Sequence, residues 1–316
     1  MAQLNFYDIV NMEHTRISIP HSSHFTMGTS PYYAHQHGLA IDIYRSLSLE
    51  NYSVFSPVSG VIEKIKTLRA PKPRFIGGID KDYLTLIRNP RNEGIVYKIL
   101  HVKPNGKVGD RIQVGDSMGT TIRNGYFAYW SSPHLHLEVR TFDNAIRASG
   151  GIPFSLAIKK ENQKFNINKP MTNRVRVKIH SSYPEFTLAH LPEHLYHQIS
   201  PIYGAKAIID ETNCILDGGI PHYKIGTIIT LNNLNLNKTN QIWFIGTKIG
   251  AIDKTRDGFG FFKFDRNLKF FLNSKEIRGI SLYLAKFPPL IKLIHKDLKQ
   301  FSFKPKSNQS LNLVAE

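Results

Sequence analysis

In the segment "SSPHLHLEVR" (131–140), two histidines stand two residues apart within an alternating apolar–polar run. On a β-strand this alternation places His134, His136, Glu138 and Arg140 on one face and Leu135, Leu137 and Val139 on the other. The two histidine Cα atoms are then about 6.6 Å apart. That separation suits one ring nitrogen on a metal ion and the other poised over the metal's open position. A second chemical residue is Asp42 in "GLAIDIY" (38–44), a carboxylate inside an apolar strand. Burying it unpaired is costly, and a metal ion would supply the partner. His35 and His37 lie just upstream, in "YYAHQHGLAIDIY". The chain has one cysteine, Cys214, so neither an intrachain disulfide nor a thiolate cluster can form. Any metal must sit on carboxylates and on some of the 14 histidines.

The elements that would carry these residues are mostly strands. Short alternating or apolar runs recur between Gly, Pro and Asn, among them "VSGVIEKI", "YLTLIRN", "GIVYKILHV", "RVRVKIH", "GTIITL" and "QIWFIG". The expected fold is mainly β: an antiparallel β-sheet domain at 1–150 and a second β-rich domain at 151–316 with few helices. The connector is "ASGGIPFSLAIKKENQKFNINKP" (148–170), and the boundary is placed near 150. Helices are expected at "PEHLYHQI" (192–199) and near "PPLIKLIHKDLKQF" (288–301).

No apolar run approaches the roughly 18 residues that span a bilayer. The opening segment lacks the basic stretch and apolar core of a secretory signal. The expected address is therefore cytoplasmic, or secreted or cell-surface if export uses another route. The net charge is +17: residues 1–150 carry 17 Lys and Arg against 12 Asp and Glu, and residues 151–316 carry 24 against 12. The second half thus has the surface that would attract a polyanion.

Five ordered segments over roughly 35–147 resemble the lysostaphin/LytM-type zinc metallopeptidases of the bacterial cell wall. They are the His…Asp stretch ending at Asp42, "SPVSGVIEKI" (56–65), "YKILHV" (97–102), "GKVGDRIQVGDSMG" (106–119) and "SSPHLHLEVR". The resemblance implies a compact β-hammerhead-like barrel or sandwich. It also implies zinc held by an upstream histidine, Asp42 and His136, with water at the open position. His134 and His101 would act on the water proton and on the tetrahedral oxyanion. The family places its first histidine four residues before the aspartate, and that position here is Gly38. The ligand must then come from a bent loop, because four or five extended residues span about 13–17 Å. With Gly38 to relax the backbone, the expected ligand is His37, with His35 as the alternative.

The function implied is a zinc-dependent endopeptidase acting on peptide bonds such as those of wall cross-links. Two alternatives are a degenerate relative that binds or regulates without cleaving, and a nucleic-acid-binding module in the basic second half. In that half, "IWFIGT" and "DGFGFFKF" have RNA-recognition composition, but the 9 residues between them (248–256) fit a meander better. Phe259, Phe261 and Phe264 are therefore expected to serve as core or sheet aromatics. His190, His194 and His197 have helical spacing but no accompanying HExxH motif.

Overall fold

The computed structural model describes residues 4–28, 30–159, 172–223, 225–230, 236, 239–256, 258–298, 300–301 and 310–316. Much of the 148–170 connector lies outside them. The chain divides into two compact units, one comprising Met1–Phe25 and Tyr32–Ala157 and the other Thr26–Pro31 and Ile158–Glu316. In both, the regular structure is almost entirely antiparallel strands. Among the described residues, no helix is long and apolar enough to cross a membrane.

In the first unit, six strands run in the spatial order Ala40–Tyr44, Leu135–Thr141, Ile95–Leu100, Lys81–Arg88, Gly60–Arg69, Arg111–Ile112. A three-stranded sheet (Ser53–Phe55, Ser117–Thr121, Val102–Pro104) and a hairpin (Phe6–Met12 with Thr15–Pro20) complete it. Register follows from burial. Leu137 lies opposite Ile41 and Ile99, Val139 opposite Tyr97 and Leu135 opposite Ile43, all buried on the apolar face. Each such aliphatic side chain contributes about 1.5–3 kcal/mol by leaving water. A one-residue slip would turn all of them outward.

The second unit contains a closed ring of strands: Ile202–Ile209, Thr212–Ile220, Ile225–Ile229, Phe259–Phe264, Thr247–Arg256 and Gln241–Phe244, the last returning to the first through Ile208 opposite Trp243. Closure leaves these strands no free edge. Cys214, Leu216, Ile228, Phe244 and Phe262 help fill the core. The Thr212–Ile220 strand continues into a second sheet through Gly279–Leu282, Ile291–Ile294, Phe186–His190, Arg174–Ser182 and Ser310–Ala315. The "GFFKF" aromatics behave as expected of a meander. Phe259, Phe261 and Phe262 are buried, and Phe264 is half-buried.

Two expected helices are replaced. At 192–199 only the 3-10 turn Glu193–Leu195 forms, and Tyr196–Ile199 is a strand paired with Ile202–Ile209. At 288–301 the apolar run forms the strand Ile291–Ile294, buried throughout between two neighbours. A strand buried on both faces shows no period-2 alternation, so its sequence mimics a buried helix; Lys299 lies outside the described residues.

Candidate metal centre

The register of the Leu135–Thr141 strand builds the site. His136 lies directly opposite Asp42 on one side and Leu100 on the other, and Glu138 lies opposite Ala40 and Lys98. Directly opposed residues share a face, so Asp42, His136, Glu138 and Lys98 project together, away from the Leu137 layer. The fourth contributor, His35, comes from the single helical turn Tyr33–Gln36. Gly38, with φ +60°, ends that turn and redirects the chain into the Ala40–Tyr44 strand.

Three donor atoms converge. His35 Nε2 is 3.2 Å and His136 Nδ1 2.9 Å from Asp42 Oδ1, and the two nitrogens are 3.1 Å apart. All three residues are buried. Around a tetrahedral zinc with bonds of about 2.0–2.2 Å, ligand atoms lie about 3.3–3.5 Å apart. The observed triangle is a slightly contracted face of that tetrahedron.

Protonation reinforces the fit. His136 Nε2 lies 3.1 Å from Glu138 Oε1, an ionised carboxylate that can only accept. Nε2 therefore carries the proton, and in the neutral ring Nδ1 aims a bare lone pair at Asp42. That contact is repulsive unless a cation sits in it. Without a metal the cation is a second proton. Burial disfavours the charged ring, but the bonds to Asp42 and Glu138 outweigh it and raise His136 to about 9. A proton serves only one pair of atoms, whereas a metal ion satisfies all three donors.

The residues behind the triangle are charged and paired. Glu138 receives Lys98 Nζ at 3.0 Å and Arg140 Nε at 2.8 Å in addition to His136. Burial alone would raise its carboxyl, but His136, Lys98 and Arg140 hold it down to about 2. Burial would also raise Asp42, but His134, His35 and His136 keep it well below the usual carboxylate range. The wholly buried Arg140 guanidinium also donates through Nη1 to Asn144 Oδ1 and the Ser149 carbonyl, both at 2.8 Å. It thereby ties the following loop to the site.

Two more histidines flank the triangle. His134 Nδ1 donates to the Ser132 carbonyl at 2.9 Å, leaving Nε2 3.4 Å from Asp42 Oδ2. Burial outweighs the attraction of Asp42 and pushes His134 down to about 4, so near neutrality Nε2 is an unprotonated base. His101 closes the other side, its ring 5.4 Å from that of His134 and 5.8 Å from that of His136. It adopts φ +67°, which costs a residue with a side chain about 1–3 kcal/mol. Asp82 supports that conformation: its Oδ1 accepts the His101 backbone N–H at 3.0 Å, and its Oδ2 lies 2.9 Å from the ring Nδ1. The Phe127 ring packs 4.9 Å from both His101 and His134.

Of the sequence-derived residues, Asp42, His136, His134 and His101 come together, and His37 does not. Its ring stacks on Tyr33 with centroids 4.0 Å apart, and its Nδ1 lies 2.9 Å from the Tyr33 carbonyl. The helical turn shortens the path between residue 35 and Asp42 and points His35 inward, so His35, the alternative, and not His37 joins the candidate cluster. Alternation alone puts Glu138 and Arg140 on the metal face. Asp82 and Lys98 have no assignment from sequence, although Asp82 shares Asp42's signature of a carboxylate beside an apolar strand run. The second-half histidines do not assemble. His190 packs against His180, His197 lies on a strand, and the only cluster with metal-ligand geometry among the described residues is His35, Asp42 and His136.

Residues 14–156 match the family model described as Domain of unknown function (DUF8155) N-terminal domain, and residues 188–306 match the DUF8155 C-terminal domain. The two matches follow each other along the chain in the order N-terminal domain, C-terminal domain. Every residue of the candidate centre lies within the first match. No curated protein matches the chain.

Proposed function

We propose that this protein is a zinc-dependent endopeptidase whose substrate is a short peptide of the wall cross-link type. The observation that carries the reading is the His35–Asp42–His136 triangle, three buried donors at metal-ligand spacing with two oriented histidines beside it. Three protein ligands leave a fourth position open, the pattern of a catalytic rather than a structural site. Zinc suits two imidazoles and a carboxylate. When bound, it would supply Lewis acidity to a water molecule and to the scissile carbonyl.

The chain's own residues do the rest. His134 Nε2, unprotonated and beside Asp42, accepts the proton of the attacking water and returns it to the leaving amine. His101, clamped through Nδ1 by Asp82, keeps Nε2 for the oxygen on which charge develops. Glu138 fixes the His136 ring and its tautomer, the role of a carboxylate behind a metal-bound histidine. Phe127 covers both flanking rings and limits water at them.

The test is hydrolysis by the zinc-loaded full chain of a panel of oligoglycine, alanine-containing and branched wall peptides, read by mass spectrometry. Internal cleavage that is lost in His134→Ala supports the reading. A zinc-loaded protein that cleaves no member of the panel contradicts it.

A further inference from the structure

The Arg174–Ser182 strand of the second unit alternates from Arg174 to His180. Val175, Val177 and Ile179 are buried in the core, so Arg174, Arg176, Lys178 and His180 are exposed on the opposite face. The cations recur every second residue, about 6.7 Å apart along the strand. Neither arginine nor Lys178 forms an ion pair among the described residues. Other surface lysines of the unit do, as in Lys248–Asp265, Lys263–Asp253 and Lys296–Glu276. Three like charges held in a row by core packing, with no carboxylate among them, form a fixed line of positive potential.

Rings accompany the charges. Lys178 lies opposite His190, whose ring is 5.7 Å from that of His180. Burial, with His180 and Lys178 nearby, lowers the pKa of His190 and favours a neutral ring. On the other side, Arg174 lies opposite Val314, which lies opposite the half-buried Phe271. Polar Asn312 lies opposite Arg176. Two of the three cations are arginines, whose planar fork matches phosphate oxygens.

We propose that this sheet face binds single-stranded nucleic acid, with phosphates along Arg174, Arg176 and Lys178 and bases against His180, His190 and Phe271. A row of cations that tracks a backbone beside rings that accept bases is how sequence-tolerant single-strand sites are built. The proposal uses residues of the second unit alone and does not depend on the zinc reading.

The probe is a fluorescent oligouridylate of roughly 12 nucleotides, within the range one compact β domain covers, titrated into the full chain over a series of salt concentrations. Binding of the wild type is expected to weaken linearly in log–log form. In Arg174→Gln/Arg176→Gln/Lys178→Gln the slope should fall by about 2, at roughly 0.7 for each single-strand phosphate that is no longer neutralised. Lys248→Gln/Lys263→Gln/Lys296→Gln removes the same net charge from ion pairs and should leave the slope unchanged. All six side chains are on the surface, and unchanged melting curves confirm that both variants fold. Equal losses in the two variants, no binding at low salt, or inorganic polyphosphate competing as well as the oligonucleotide at equal phosphate would each overturn the proposal.

Discussion

His35 Nε2 and His136 Nδ1 lie 3.1 Å apart, both within 3.2 Å of the same oxygen of Asp42. Protons on both nitrogens would face each other across that 3.1 Å gap, whereas one metal ion would satisfy all three donors. The relationship makes His35, not His37, the upstream member of the cluster that could hold a metal. His35→Ala should therefore reduce zinc affinity by orders of magnitude. His37→Ala, which removes only a stack on Tyr33, should leave it within a few-fold. Competition with a chromogenic chelator measures both, and equal losses would contradict the assignment.

Glu138 holds the His136 ring through Nε2 and is itself held by Lys98 and Arg140. Glu138→Gln should weaken metal binding by about 10–100-fold, the usual effect of losing a carboxylate behind a metal-bound histidine. It should also destabilise the first unit by about 3–5 kcal/mol, because two buried cations lose their counter-charge. Chelator competition and chemical denaturation read the two effects separately. An unchanged affinity in a folded variant would show that His136 needs no such partner.

Asp82 accepts a hydrogen bond from the His101 backbone N–H and holds its other carboxylate oxygen 2.9 Å from the ring Nδ1. Asp82→Asn preserves the shape but replaces a charged acceptor with an amide. On the peptidase reading it should lower kcat by at least about tenfold, since a positioned acid–base group contributes about 10²–10⁴. It should leave KM and zinc content nearly unchanged. A shift in the acid limb of the kcat–pH profile would distinguish loss of positioning from a loss of fold.

In the second unit, His222 packs beside Ser281, with Nε2 3.3 Å from the hydroxyl, and removal from water pushes it down to about 3. Its ordinary value is about 6.5. Below that pH the unfolded chain takes up a proton that the folded chain refuses until about pH 3. Stability from this group is therefore complete near neutrality and is lost as pH falls, by up to about 1.4 kcal/mol per pH unit within that window. Melting curves at about pH 7 and about pH 5 should show a smaller drop for His222→Gln than for the wild type. Parallel drops would contradict the sign.

Much of this site is legible in the sequence because a strand's period is short and strict. The alternation in "HLHLEVR" decides which side chains share a face, and an acid within "LAIDIY" demands a cationic partner. The choice between His35 and His37 is not legible. It depends on a single turn of helix, set by Gln36 N–H bonding to the Tyr32 carbonyl and His37 N–H to the Tyr33 carbonyl, and one turn is too short to leave a periodic signal. Gly38 does bend the chain, but at the junction of turn and strand, so it aims residue 35 and not residue 37. Asp82 escapes sequence reading because its partner is nineteen residues away and depends on the left-handed conformation of His101. Lys98 escapes it because the pairing is across strands, a relationship set by register. The expected helix at 288–301 fails for the opposite reason: a buried strand that loses its alternation reads as a helix.

The most direct test of the account is the metal content of the protein after stripping with chelator and reconstitution with zinc, measured by elemental analysis beside Asp42→Ala. Close to one zinc ion per wild-type chain and essentially none in Asp42→Ala is the expected result. A wild-type chain that takes up no zinc, or an Asp42→Ala chain that retains it fully, would contradict it.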